Sequence, residues 1–249
     1  MKVIIVAAGQ GTRLRPLTND KPKCMVEYKN KPMIDYILET IEECSIKDIA
    51  LVNGYKKEVL ENHLKNKNIK FYTNERYHKT NMVSTLFNAI EFMDDDLIIS
   101  YADIIYKKEI LEKLISSKDD FSVVVDRKWK DLWSLRMENP LDDAETLKVK
   151  DGKIVELGKK PNSYAEIEGQ YIGLIKISKN ILPNVIKFYN NLDKHKLYDG
   201  KDFDNMYMTS FIQMIINTLA DVKPVYIDAG WLEIDSVEDL EVYEKYKIV

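Results

Sequence analysis

The chain has 249 residues, 45% hydrophobic and 31% charged, a globular mix that excludes disorder, collagen and coiled coil. Such a length buries roughly 70–75% of its unfolded surface without staples. The 37 basic and 41 acidic residues leave a net charge of −4, so no nucleic-acid partner is expected, because phosphate-backbone binding needs a clustered basic surplus.

Lys2–Ala7 reads as a strand buried on both faces. A Gly/Arg/Pro-rich loop follows from Gly9 to about Lys31. Pro32 then opens a helix with Met33, Ile37, Ile41 and Cys44 at three- to four-residue spacing. Ile49–Val52 is a second predicted strand, ended by Asn53-Gly54. Lys56–Leu64 is a polar helix, Lys70–Thr73 a third strand, Val83–Phe92 a helix and Leu97–Ser100 a fourth strand. This alternation predicts a parallel, doubly wound α/β sheet. In the second half, Phe121–Asp126 and Leu132–Glu138 read as strands. Thr146–Lys150 and Lys153–Leu157 flank Asp151-Gly152, a two-residue hairpin signal. Gln170–Lys176 alternates as another strand. Helices are predicted at Ile181–Asn191 and Met206–Thr218, a strand at Val222–Ile227 and a last helix at Val237–Tyr246. No repeat or linker interrupts the chain, so one domain with a mixed sheet is expected.

Cys24 and Cys44 make no disulfide framework and read as reduced thiols. The longest apolar run, Val3–Ala8, falls far short of the ~18–20 residues that span a bilayer. A cytoplasmic protein without a membrane or targeting segment is expected.

The loop after the first strand carries the chemistry. From Ala7 and Ala8 it runs Gly9-Gln10-Gly11-Thr12-Arg13-Leu14-Arg15-Pro16-Leu17-Thr18. Glycine turns after buried strands receive phosphates on outward-pointing backbone N–H groups. The dinucleotide fingerprint would need a third glycine at Leu14, and the P-loop would need a Lys followed by Ser or Thr. The loop instead supplies cations: Arg13, Arg15, then Lys21-Pro22-Lys23. Arginine forks bind phosphate bidentately and lysine adds a point charge, a set suited to a triphosphate. A glycine loop with solvated basic residues is the bland alternative.

The pattern G-x-G-x-R-L-x-P-L-T followed by K-P-K resembles the signature of nucleoside-triphosphate transferases that make sugar nucleotides and CDP-linked alcohols. The resemblance implies a Rossmann-like three-layer α/β/α sandwich with a mixed, mainly parallel central sheet and an inserted antiparallel β region. It further implies a nucleotide-binding half at about 1–120 and an acceptor-binding half at 121–249, with Arg13 and Lys23 binding the phosphates through the transition state. Asp103, at the carboxyl end of a predicted strand, has a local reading as a helix cap or turn residue, and Asp235, in W-L-E-I-D-S-V-E-D-L, stands beside Ser236, which reads as a cap of the last helix with Asp239 three residues on. Asp103 and Asp235 match the family's two metal aspartates, which implies Mg²⁺ as cofactor, and Mg²⁺ needs only one or two carboxylates beside substrate phosphates. His63, His78 and His195 show no metal spacing and read as surface residues. The implied reaction is attack of an acceptor phosphate on the α-phosphorus of a nucleotide, with release of pyrophosphate.

The base is expected over Ala7, Ala8, Gly54, Tyr55, Asn74, Asn81 and Ser84, with Gly9, Gly11, Thr12 and Arg13 around the phosphates. The segment N-E-R-Y-H-K-T-N-M-V-S-T-L resembles that of phosphocholine and aminoethylphosphonate cytidylyltransferases, so CTP is the expected nucleotide. Asn81 also reads as a helix cap. For the acceptor, the segment from Asp126 to Pro140 offers Arg127, Lys128, Lys130 and Arg136 with Trp129 and Trp133. Lys159-Lys160 and Glu168 lie at similar family positions. The pattern W-x-x-R-x-x-x-P-L-x-D-A-E resembles cytidylyltransferases for small zwitterions, aminoethylphosphonate or the phosphoglutamine of capsule phosphoramidate synthesis, the latter being the better match. Phosphocholine and sugar 1-phosphates remain alternatives. A glycosyltransferase would show D-x-D where this chain has Ile105. Either a monomer or a homodimer fits.

Overall fold

The computed structural model describes residues 1–246. Strand β1 (Lys2–Val6) leads through a long loop to the short ribbon β2 (Glu27–Tyr28) and β3 (Lys31–Pro32), then to α1 (Met33–Glu43). Helix α1 follows Pro32 and turns Met33, Ile34, Ile37, Leu38 and Ile41 inward, the spacing of one helical face. Next come β4 (Asp48–Asn53), α2 (Lys57–His63), β5 (Ile69–Thr73) and α3 (Met82–Leu86). The expected helix Val83–Phe92 is α3 plus a tighter 3₁₀ stretch, Phe87–Phe92, distorted at Ala89 (φ −98°, ψ 23°). After β6 (Leu97–Tyr101) the chain forms β7 (Ile104–Tyr106), α4 (Lys108–Ser116), β8 (Phe121–Asp126) and α5 (Trp129–Arg136). The hairpin β9 (Leu147–Lys150) and β10 (Lys153–Leu157) then leads to β11 (Gln170–Ile177) and α6 (Leu182–Asn190). The last elements are α7 (Met208–Thr218), β12 (Lys223–Ile227), β13 (Trp231–Glu233) and α8 (Val237–Tyr246).

One seven-stranded sheet takes strands from both halves, in the order β12-β8-β11-β6-β1-β4-β5. Only β11 runs against its neighbours, β6 and β8; the other pairings are parallel. Alternation in β1 sends Val3 and Ile5 into one apolar layer and Ile4 and Val6 into the other, which is why that strand reads as continuously apolar. From β1 the chain builds outward through β4 and β5, then crosses to β6 on the opposite side. The carboxyl ends of β1 and β6 therefore flank a switch point, where ligands of open α/β sheets bind.

The expected strand Leu132–Glu138 is corrected: residues 129–136 form helix α5. Its Trp129, Leu132 and Trp133 are buried at helical spacing, a period masked by Leu135 and Met137, which mimic strand alternation. Sequence reading also passed over β7, α4 and β13. Among these, β7 and β13 pair antiparallel, Ile104 opposite Glu233, and that ribbon decides the position of Asp235.

Candidate active site

The loop after β1 folds back over the switch point. Gly11 sits at φ +62°, and a Cβ there would lie 2.9 Å from the Lys23 Cβ, so only glycine fits both the backbone and the contact. Thr18 donates to the Gly11 carbonyl at 2.8 Å, and the Tyr55 hydroxyl donates to the carbonyls of Thr18 and Asn19 at 3.0 Å each. Pinned in this way, the loop turns Lys23 toward the end of β6. There the β7–β13 ribbon, with the Ile234 amide donating to the Asp103 carbonyl at 3.0 Å, sets Asp235 beside Asp103.

The Lys23 ammonium donates to Asp103 Oδ2 at 2.7 Å and also to Asp235 Oδ1. Arg13 reaches Asp235 Oδ2 at 3.0 Å from a mostly exposed side chain. Burial works against the charge on Lys23, but Asp103 and Asp235 outweigh it and hold the ammonium protonated well above the usual lysine range. For Asp235 burial is likewise overcome, chiefly by Lys23, and its carboxyl titrates below the usual range. Burial pushes the neighbouring Cys24 thiol up to about 12, so no thiolate forms there near neutrality.

A second tier lies behind this one. The Arg136 side chain, only 2% exposed, pairs through Nη1 with Glu233 at 2.8 Å and through Nε with Asp239 at 2.9 Å. Its Nη2 donates to the other Asp239 oxygen at 3.2 Å and lies 3.6 Å from Asp235. Asp239 Oδ2 accepts from the Asp235 and Ser236 amides at 2.8 and 3.0 Å. The arginine and the start of α8 thus hold the Glu233–Asp235 segment in place. Burial, then Asp235, pushes the Glu233 carboxyl upward against the pull of Arg136.

Asp103, Glu233 and Asp235 can each offer an oxygen within 4.8 Å of the others. Asp103 Oδ1 is buried without a hydrogen-bond partner. A hard-oxygen set with one unsatisfied buried acceptor fits a magnesium ion. Glu233 was not singled out in the sequence, although its place in Glu-Ile-Asp, two residues before Asp235, is a usable signal.

An open cleft of about 290 Å³ runs along the switch point, lined by Ala7, Ala8, Gly9, Gly11, Thr12, Arg13, Lys23, Asn81, Asp103 and Asp235. Tyr77, Thr80 and Thr85, which stand in the quoted Asn74–Leu86 segment without a role given to them, and Tyr101 also line it. Asn81 also caps α3, its side chain accepting from the Met82 amide. Gly54, Tyr55, Asn74 and Ser84 lie outside the lining. Gly54 is packed against Ala8 and Tyr77. Asn74, 3% exposed, donates to the Thr80 and Thr85 hydroxyls at 2.8 and 2.9 Å, fixing the wall from behind.

The residues expected at the acceptor are dispersed. Trp133 is 4% exposed in a ring cluster with Trp129 and Trp231, and Arg136 is committed to its carboxylates; both are interior, contrary to an open binding surface. Arg127 makes a two-point pair with Asp228 at 2.8 and 3.0 Å. Asp126 is buried and accepts from Trp231, Lys128 and Ala229. Lys128 and Lys130 are exposed. Exposed Lys159 pairs with Glu156 at 2.7 Å, and Lys160 donates to the Leu141 and Asp142 carbonyls. Exposed Glu168 accepts from the Val149 amide at 3.1 Å. The three histidines are exposed, and both cysteines are free. Among the described residues no helix is long and apolar enough to cross a membrane.

The profile of the nucleotidyl transferase family matches residues 2–133. The chain belongs to the nucleotidyl transferase family. It is 54% identical over 249 residues to a CTP:phosphoglutamine cytidylyltransferase of Campylobacter jejuni, across 97% of this chain and 98% of that protein. Two solved nucleotidyl transferases share the fold. One is a CTP:phosphocholine cytidylyltransferase from Streptococcus pneumoniae (TM-score 0.74, 23% identity, 99% of this chain and 98% of that one). The other is an inositol-1-phosphate CTP transferase from T. maritima (TM-score 0.76, 18% identity, 99% and 96%). The mainly parallel mixed sheet is the architecture this nucleotidyltransferase shares with them.

Proposed function

We propose that this nucleotidyltransferase transfers the cytidylyl group of CTP to glutamine phosphate, a small phosphorylated zwitterion, and releases pyrophosphate. The observation that carries the reading is the 54% identity to a CTP:phosphoglutamine cytidylyltransferase along nearly all of both chains. The arrangement of Arg13, Lys23, Asp103 and Asp235 at one end of the cleft supports it. The setting we infer is cytoplasmic capsule phosphoramidate synthesis.

An acceptor phosphate oxygen attacks the α-phosphorus of CTP, and the bond to the β-phosphate oxygen breaks. With a second pKa near 6, the acceptor phosphate is largely dianionic at neutral pH, so it needs no general base. Positioning and charge neutralisation carry the catalysis. The Gly9–Arg13 turn holds the triphosphate, and Lys23 and Arg13 meet the charge that develops as pyrophosphate leaves. Asp103 and Asp235, with Glu233 beside them, would hold Mg²⁺, which supplies further neutralisation of the reacting phosphates when bound. Ala7, Ala8 and Asn81 form the wall against which the base lies. A phosphocholine acceptor finds less support, because Trp129 and Trp133 pack in the core and make no open cage.

Pyrophosphate release tests this with the four ribonucleotides and dTTP against glutamine phosphate, phosphocholine, aminoethylphosphonate and glucose 1-phosphate. CTP with glutamine phosphate should lead in kcat/KM by at least about tenfold, a difference of ~1.4 kcal/mol. Equal use of UTP or dTTP with the sugar phosphate would refute it.

A further inference from the structure

Beyond Tyr101, on the side away from Gly11, the fold assembles a carboxylate that the phosphate chemistry does not use. Because β11 runs against β6, its first residues lie at the carboxyl edge where β6 ends. Gly173, at φ +88°, permits the close packing there: a Cβ would meet the Tyr101 ring at 2.5 Å. That ring meets Tyr171 edge-on at 5.8 Å. Glu145, in the loop before β9, is clamped to the same edge by the buried Gln170 side chain. Its amide donates to Gln170 Oε1 at 3.0 Å, and Gln170 Nε2 donates to its carbonyl at 2.6 Å.

Glu145 is half-buried, and among the described residues its side chain receives one hydrogen bond, from the Thr209 hydroxyl at 3.3 Å. Thr209 is wedged by Gly158, at φ +88°, where a Cβ would lie 2.5 Å from the threonine Cβ. Among the described residues no cation pairs with Glu145. Burial, with Asp143 adding to it, pushes its carboxyl up to about 7, although Thr209 pulls the other way. The Tyr171 hydroxyl is buried and makes no hydrogen bond of good geometry, its polar neighbour being Tyr101. An uncompensated carboxylate within electrostatic reach of an unsatisfied hydroxyl is unfavourable in the free protein. Both are satisfied by a ligand that brings a cationic donor.

We propose that Glu145, with Tyr171 and Thr209, forms a subsite for the ammonium group of the acceptor, set behind Tyr101, which lines the cleft. This rests on the reading of the chain as a transferase acting on a small zwitterion, and it names the group that distinguishes such an acceptor from a sugar phosphate.

The experiment compares glutamine phosphate with its desamino analogue in the wild type and in Glu145→Gln, which keeps the shape and the acceptor for Thr209 but loses the charge. Glu145→Gln should raise KM for glutamine phosphate at least about tenfold, the scale of one charge-assisted hydrogen bond, with KM for CTP within about twofold. With the desamino analogue the two proteins should be equal. Tyr171→Phe, which removes only the hydroxyl, should melt at or above the wild-type temperature yet raise the same KM threefold or more. Equal effects of Glu145→Gln on both acceptors, or none on either, overturn the subsite. So does a wild-type enzyme that prefers acceptors lacking any amine. A preference for phosphocholine over glutamine phosphate would refute the acceptor identity alone. The comparison of phosphocholine with a phosphorylated alcohol lacking the ammonium would then still have to show the Glu145→Gln difference.

Discussion

Replacing Arg136 by methionine removes a cation that is 2% exposed and shared among three carboxylates, with contacts of 2.8 Å to Glu233, 2.9 Å to Asp239 and 3.6 Å to Asp235. Deleting one member of a buried ion pair costs about 3–5 kcal/mol, since the partner stays buried without its counter-charge. Two features favour the lower end. Asp239 keeps its two amide donors from Asp235 and Ser236, and Glu233, 22% exposed, can draw on solvent. Taking roughly 3 kcal/mol, and about 2–4 °C per kcal/mol for a chain of this size, the melting temperature should fall by roughly 6–12 °C. Thermal unfolding followed by circular dichroism measures this directly. Arg136→Lys should fall between, because an ammonium keeps the charge but cannot fork across Asp239 and Glu233 together. Turnover measured well below the melting temperature should drop about tenfold in Arg136→Met with KM for CTP little changed, because the arginine acts by holding Glu233 and Asp235. A melting shift under 2 °C would show that the carboxylates are relieved by solvent or protonation and that the network contributes little.

Asp103→Asn and Asp235→Asn should each lower turnover by at least about a hundredfold, and EDTA should abolish wild-type activity, because both carboxylates belong to the proposed Mg²⁺ set; a normal rate in either variant, or in EDTA, would remove that assignment. Lys23→Ala should lower kcat by roughly 10²–10³-fold with a smaller change in KM for the nucleotide, as expected of a contact strongest in the transition state; steady-state kinetics at saturating acceptor decides it, and a change confined to KM would make Lys23 a ground-state binding residue. Gly11→Ala should destabilise by about 1–2 kcal/mol, the penalty of a left-handed backbone for an L-residue, and should also depress turnover because the new Cβ crowds Lys23; urea titration and kinetics report the two effects separately.

The Gly11–Lys23 end of the candidate site was legible because it is local. Gly11, Arg13 and Lys23 lie within thirteen residues of one another, and the turn that joins them has its own sequence signature. Asp235 was recognisable only by its segment, since 132 residues separate it from Asp103 and the β7–β13 ribbon that unites them has two three-residue strands, too short for any period to register. The second half was harder for a different reason. Arg127, Trp133 and Arg136 look like a basic aromatic surface in a linear reading, but helix α5 turns Trp133 and Arg136 inward while Arg127 stays outside. Charged residues near tryptophan advertise binding and core salt bridges equally well, and only the tertiary partners, Asp239 and Glu233, distinguish them. Glu145 stood in the sequence only as the last letter of the W-x-x-R-x-x-x-P-L-x-D-A-E pattern, with no role attached to it, because its environment comes from β11 and α7, neither adjacent in sequence.

The single reversed strand has a consequence for how such an enzyme can diversify. Residues 127–169 leave the sheet at Asp126 and re-enter at Gln170, and those two residues are register partners across β8 and β11. The excursion is therefore a cassette whose two ends meet. It cannot be traded alone, because Arg136 within it pairs with Glu233 and Asp239 and Ile154 bridges to Val222 beside β12, so the segment that carries Asp235 has to change with it. A chimera spliced at that pair would keep the β8–β11 register and would need a Glu233–Asp239 segment that matches the arginine of the excursion.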